Sequence, residues 1–315
     1  MSENLKAHIA LVAVALIYGA NYTIAKVVMD DDYLAPFAFI ALRAATGMVL
    51  FWFLQTVIIR EQVDRKDLPL LALCGLFGVA INQLVFFAGL KMTTPINASL
   101  IMTTTPILVL VVSAILLGER ITGRKVLGIG LGAAGAVLLI GYGERIQLGG
   151  AGIWGDLMIT INASAFGIYL VISKPLMKKY HPLTIVKWSF FFGFLFVLPF
   201  GWGPLIQTDW SRFQPAIWLS VGYVLVFTTF LAYLLNAFAL KHVQASVVSI
   251  YIYFQPLFAT AIALLAGKDQ LDAVKAISGL LIFLGVFLVS RGGPRQKPRP
   301  PMARTVAPDQ VNHPT

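Results

Sequence analysis

Charge is scarce in this chain, and so are the residue types that build catalytic and redox sites. Only 12% of the 315 residues are Asp, Glu, Lys or Arg, while 58% are hydrophobic. A soluble globular domain carries about 25% charged residues. A soluble fold of this length could not cover so much apolar side chain, so the composition implies lipid as the solvent. The single cysteine, Cys74, excludes an intramolecular disulfide and a cysteine-built metal cluster. It lies inside an apolar run and reads as a small core residue. His8, His181, His242 and His313 fall at the ends of runs, in loops or in the tail, and no two have metal-ligand spacing. No Ser-His-Asp set, carboxylate pair or P-loop is visible, and no acidic residue lies deep in a run. A membrane-embedded enzyme, an ATP-driven pump, a resident cofactor or metal and a carboxylate proton relay are therefore not expected. Gly130 to Gly135 spells GxGxxG, but a dinucleotide site needs a strand before it and a helix start after it. Here the glycines lie within an apolar helix and read as close helix packing, with Gly128 and Gly132 four apart.

Apolar runs are what the chain has in abundance. They cover residues 7–29, 35–59, 69–90, 96–117, 125–142, 153–173, 183–203, 215–238, 244–266 and 273–290. A membrane span needs about 20 such residues, so the expected fold is all-α and integral to a membrane, with ten transmembrane helices. The first run is too long for a signal-peptide core and lacks a small-residue cleavage site, so it reads as a retained helix. The tail, 291–315, is basic and Pro-rich and is expected to be disordered. The net charge of +10 does not call for nucleic acid. With the N-terminus in the cytoplasm, cytoplasmic segments hold 16 Lys and Arg and the opposite side holds 5. By the positive-inside rule both termini are cytoplasmic, and the expected location is a cell membrane, with a bacterial inner membrane the natural candidate. The extramembrane segments are too short for a sensor domain, which disfavours a signalling role. A homo-oligomer is left open.

The chain also repeats itself. The segment from Gly89 aligns without gaps on the segment from Ala239, at an offset of 150. Leu90 and Lys91 match Leu240 and Lys241, Ser99 matches Ser249, Pro106 matches Pro256, Lys125 matches Lys275 and Gly135 matches Gly285, with Glu119 facing Asp269. At an offset of 148, the stretch from Tyr18 to Lys26 aligns on Phe166 to Lys174. Two five-helix copies, 1–145 and 146–290, are thereby expected. Five is odd, so the second copy would enter the membrane from the opposite side. Inverted repeats of this kind are a device of secondary transporters, whose halves exchange conformations to open one cavity alternately to each side.

Gly19-Ala20-Asn21-Tyr22 with Lys26, then Arg43, Pro106, Gly118-Glu119-Arg120-Ile121-Thr122, Gly128 and Gly135, resemble the ten-helix EamA members of the drug/metabolite transporter superfamily. Pro256, Gly267-Lys268-Asp269, Gly279 and Gly285 repeat the signature in weaker form. The resemblance runs to about Arg291. It implies a solute path between the halves, peripheral fifth and tenth helices, and export of small solutes such as amino acids. The first run lacks the membrane-embedded glutamate of the four-helix multidrug-resistance relatives.

Candidate solute-binding residues are polar groups inside spans, where they must face protein or water. Tyr18 and Asn21 mark the first helix, with Tyr169, Asn162 and Phe166 in the sixth. Gln83 marks the third, with Tyr233, Asn236 and Thr229 in the eighth. Ser99 and Thr103 in the fourth match Ser249 and Tyr253 in the ninth, where Ser246 and Thr260 extend the stripe. Interhelical bonding between packed helices is the alternative for each. Arg43 lies mid-span and is either a ligand for a solute anion or a clamp on helix-end carbonyls. Lys26 and Lys174 either snorkel to an interface or touch solute, and Lys187 with Trp188 reads as an interface marker. Pro106 and Pro256 are candidate hinges, kinking their helices in mid-course beside the cavity or preserving an inherited bend.

Overall fold

The computed structural model describes residues 2–30, 33–92, 98, 101–141, 153–265 and 272–290. The expected tail (291–315), Ser99 and Asp269 fall outside these residues, as do the side chains of Lys26, Thr260 and Lys275. Among the described residues there is helix and no strand.

The helices are α1 (Glu3–Asp30), α2 (Pro36–Ile58), α3 (Arg65–Met92), α4 (Thr105–Leu117), α5 (Gly123–Gly141), α6 (Ile153–Leu176), α7 (Pro182–Ile206), α8 (Pro215–His242), α9 and α10 (Ala273–Ser290). Helix α9 runs as Ala245–Ile250, a tight turn Tyr251–Tyr253, and Phe254–Leu265. Proline opens α2, α7 and α8, where its missing N–H would be unsatisfied in any case. Helix α4 ends at Gly118, whose φ of 65° is left-handed. This closes the helix and lets the Glu119 N–H reach back to the Ser113 carbonyl.

Six helices are long and apolar enough to cross a bilayer: Glu3–Asn21 of α1, then α2, α3, α6, α7 and α8. Shorter apolar helices accompany them. Their outward faces are greasy, with Val57, Ile115 and Leu219 each more than two-thirds exposed. In water such a surface would aggregate; in lipid it is the correct exterior. Exposed tryptophans, Trp154, Trp202 and Trp218, sit at the start of α6, the end of α7 and the start of α8, as interfacial aromatic anchors do. The protein is thus a multi-pass, all-helical membrane protein.

Helix α1 packs on α8 and α9, while α6 packs on α3 and α4. Helix α2 packs on α7 and α8, while α7 packs on α2 and α3. Helices α5 and α10 pack on each other. Renumbering each helix by five leaves this set of pairings unchanged. The α5–α10 contact is antiparallel and made by small residues. A Cβ on Gly128 would lie 2.7 Å from the Gly285 carbonyl oxygen, and one on Gly135 would lie 2.7 Å from that of Ser278. These two contacts exchange with each other under the offset of 150.

Buried charges are tied down at helix ends. Glu119 and Lys125 form a fully buried pair at 2.9 Å, and the Ser246 hydroxyl donates to the same carboxylate at 2.8 Å. Thus Gly118-Glu119 docks the end of α4 against the start of α9. Lys174 donates to the Leu240 and Val243 carbonyls, capping the C-terminus of α8 rather than snorkelling. Lys187, read from the sequence as an interface marker, is buried instead. It donates to Gln55 Oε1 at 3.0 Å and lies 4.3 Å from the Trp52 ring centre.

Two outcomes follow for stability. Glu119→Gln strands the Lys125 charge and should cost about 3–5 kcal/mol, with Glu119→Gln/Lys125→Met recovering most of it. Gly285→Leu should destabilise by at least about 1–3 kcal/mol, because backbone rather than a flexible side chain occupies the space. Thermal unfolding of the detergent-solubilised protein measures both.

Candidate functional site

A cavity of about 100 Å³ lies between the helices, lined from α1, α2, α3, α6, α8, α9 and Met102. Helices α5, α7 and α10 contribute nothing to the lining, which leaves α5 and α10 as a buttress.

Local irregularities in α3 and α8 shape this cavity. Both widen to π-helical hydrogen bonding at their centres, over Leu76–Ile81 and Val224–Leu231. Such bulges free backbone carbonyls and shift the facing of later residues. The freed groups are used. Tyr233 donates its hydroxyl proton to the Gly78 carbonyl at 2.9 Å and accepts from Gln83 Nε2 at 3.0 Å. Thr229 donates to the Val224 carbonyl at 2.9 Å and accepts from Arg43 Nε, also at 2.9 Å. Asn21 Oδ1 accepts from Thr228 at 3.1 Å.

The lining collects eight of the candidate residues: Tyr18, Asn21, Arg43, Gln83, Asn162, Phe166, Tyr233 and Asn236. Thr103, Tyr169, Ser249 and Tyr253 are buried but absent from the lining. Tyr169 packs against Gly78, the Ser249 hydroxyl bonds to the Ser246 carbonyl, and Tyr253 donates to the Thr103 carbonyl at 3.1 Å. Ser99 lies outside the described residues. The lining also holds residues not singled out from the sequence: Thr228, Tyr251 and Gln255. Tyr251 and Gln255 are four apart and share a face, opposite in sense to the Ser246–Ser249–Tyr253 stripe. The signal for Thr228 was hidden, because an added residue in a π-bulge turns its neighbours by about 100°.

The two prolines are not mid-helix kinks. Pro106 is in the first turn of α4, after a break at Thr103–Thr104. Pro256 is in the first turn of Phe254–Leu265, after the tight turn Tyr251–Tyr253. A proline ring clashes with the carbonyl four residues earlier, so each helix gives way one turn before the proline and restarts with it.

Arg43 is 3% exposed and 5.1 Å from the Phe87 ring centre. Among the described residues its guanidinium makes one hydrogen bond, to Thr229, and no ion pair. Among the described residues the lining contains no Asp or Glu. Among the described residues, no group of His, Cys, Asp and Glu could hold a metal ion.

One end of the bundle is held by polar contacts between the segment leading into α3 and that leading into α7. Lys179 pairs with Asp64 and Asp67. Tyr180 donates to Asp67 at 2.6 Å, and Glu61 accepts from the His181 N–H at 2.9 Å. The hydrogen bond from Lys179 holds Asp64, which lies outside the spans, below its ordinary value of 3.8. Depressed carboxylates contribute above that value and lose the contribution as pH falls through the lowered one. The difference in thermal stability between the wild type and Lys179→Ala should therefore stay flat from pH 8 to 5 and shrink below about pH 4. A difference that disappears near pH 6 would contradict this assignment.

Comparisons with known proteins agree with this architecture. The EamA-like transporter family matches residues 5–141 and again 153–291. An "Uncharacterized transporter" of Archaeoglobus fulgidus is 26% identical over 292 residues, covering 91% of this chain and 98% of its own. A "Probable terminal-alkyne amino-acid exporter" of Streptantibioticus cattleyicolor is 23% identical over 226 residues, 72% of this chain and 74% of its own. A solved crystal structure superposes with a TM-score of 0.74 at 20% identity, covering 92% of this chain and 99% of that one; it shares the fold. With the family matched across both halves, and transporters among its relatives, this chain belongs to the EamA-like transporter family.

Proposed function

We propose that this protein is a secondary transporter exporting small polar metabolites, amino acids or related compounds, by alternating access. In this reading, ten spans form two inverted five-helix halves, and both termini face the cytoplasm of a bacterial cell. The observation that carries it is the composition of the cavity wall. Tyr18 and Phe166, Gln83 and Tyr233, Phe86 and Asn236, and Met102 and Ile252 are equivalent positions of the two copies, and all eight line the same space. Equivalent residues meet in this way when the copies are related by a two-fold axis through the cavity. The hydrogen bond from Gln83 to Tyr233 and that from Tyr253 to Thr103 each join partners exactly one repeat offset apart. The exchange of helix pairings and of the α5–α10 contacts supports the same axis. Helices interrupted at the cavity are the usual means of forming a mid-membrane solute site. Export of amino-acid-like solutes is supported by the name of the Streptantibioticus relative.

Mechanistically, the halves rock about the cavity while the α4 and α9 breaks and the α3 and α8 bulges absorb the bending. The Lys179–Asp64–Asp67 cluster holds one end closed. No cofactor enters this scheme. Liposomes carrying the purified protein should show counterflow of at least one labelled amino acid, organic acid, sugar or nucleotide. Chemical turnover without translocation would support an enzyme instead, and inactivity toward the whole panel would overturn the transport reading. Pro256→Ala restores a backbone donor and favours a continuous α9, so it should slow exchange several-fold with substrate affinity little changed. Unaltered kinetics would remove the break from the mechanism.

A further inference from the structure

Within the transport reading, on which this step rests, the cavity also restricts the solute's charge. Among the described residues its wall carries one ionised group, Arg43, and no carboxylate. A clamp would spread its guanidinium over helix-end carbonyls. Arg43 instead uses only Nε, toward Thr229, which leaves both Nη groups without a protein partner among the described residues. A forked cation held in this way matches a single carboxylate.

Two further residues of the lining, Gln83 and Asn162, have an amide of known polarity. Tyr233 gives its proton to the Gly78 carbonyl, so the end of Gln83 that meets its oxygen must be the donating NH₂. Asn162 meets the Asn82 carbonyl at 2.6 Å, which likewise fixes its NH₂ toward that contact. The amide oxygens Gln83 Oε1 and Asn162 Oδ1 are consequently buried without a donor. Buried acceptors of this kind are costly unless something occupies them. They are neutral, however, and offer an ammonium no counter-charge. Phe86, Phe87 and Phe166 supply an apolar surround.

We infer that the solute is a small monocarboxylate that carries a neutral hydrogen-bond donor, a hydroxyl or an amide N–H, on an apolar body. Of the amino acids and related compounds in the transport reading, this narrows the cargo to the related hydroxy and amide acids, ahead of the zwitterionic amino acids themselves. Arg43 takes the carboxylate, and the Gln83 and Asn162 oxygens take the donor.

The test is a matched pair that differs only at the donor. 3-Phenyllactate and phenylalanine share their carbon skeleton, and lactate and alanine repeat the comparison with a smaller body. Binding is read by thermal shift and by competition in detergent, and transport by counterflow in liposomes. The hydroxy acid should bind and exchange at least tenfold better than its amino acid in at least one pair. Arg43→Gln should abolish that advantage while keeping a monodisperse, cooperatively unfolding protein. Gln83→Glu, which brings the cavity toward neutrality and requires the Tyr233 proton to turn from the Gly78 carbonyl to the new carboxylate, should move the preference toward the amino acid at least tenfold. In both pairs, an amino acid that binds as well as or better than its hydroxy acid overturns the inference, as does a preference indifferent to both substitutions. The same holds if no hydroxy acid binds at all. Selective binding without counterflow leaves the inference standing and removes the transport reading.

Discussion

A polar side chain in hydrocarbon has to find its partner inside the protein, and most of this structure follows from that constraint. The exterior can be entirely apolar because lipid asks nothing else of it. Asn21, Arg43, Gln55, Gln83, Asn162 and Asn236 of the spans are buried, as are many of their hydroxyls, and they either bond across packed helices or gather at a common space. Arg43, Asn21, Gln83, Tyr233 and Asn236 took the second course. Ser246 and Tyr253 took the first, while Ser249 bonds within its own helix to the Ser246 carbonyl.

The same constraint applies to the backbone. A helix that widens or breaks in the membrane exposes carbonyls that water cannot reach. Three such points are answered by a side chain, the first and last of them from another helix: Gly78 by Tyr233, Val224 by Thr229, Thr103 by Tyr253. The irregular segments are thus coupled across helices, so bending one perturbs a hydrogen bond to another. A cavity bounded by such segments can change shape without stranding polar groups, whereas the small-residue α5–α10 contact, with no irregularity, acts as a rigid support.

The fold was legible where it depended on composition and length. Apolar runs and short gaps specify helices without reference to tertiary contacts. The site was legible only in part. Helical periodicity located Tyr233 and Asn236 correctly with respect to each other, but a π-bulge just before them altered the facing of Thr228 and Thr229, and no residue type marks that insertion. In α9 the most polar stripe proved to be the one that packs, because hydroxyls and Glu119 could satisfy each other there. Tyr251 and Gln255, which reach the cavity, were masked by their apolar neighbours. Lys187 shows a similar limit: its burial depends on Gln55 and Trp52 of a helix distant in sequence. The prolines signalled a discontinuity but placed it one turn too late, since the clash is with the carbonyl four residues earlier.

The account stands on one cavity that two inverted halves open in turn to each side of the membrane. Its most direct measurement is the sidedness of the wall. In a Cys74→Ser background, cysteines placed singly at the equivalent positions Tyr18 and Phe166 are exposed to membrane-impermeant thiol reagents in sealed, oriented vesicles. The account predicts that each position is modified from both faces and is protected from both by a transported solute. Labelling that is confined to one face under every condition, at both positions, would contradict it.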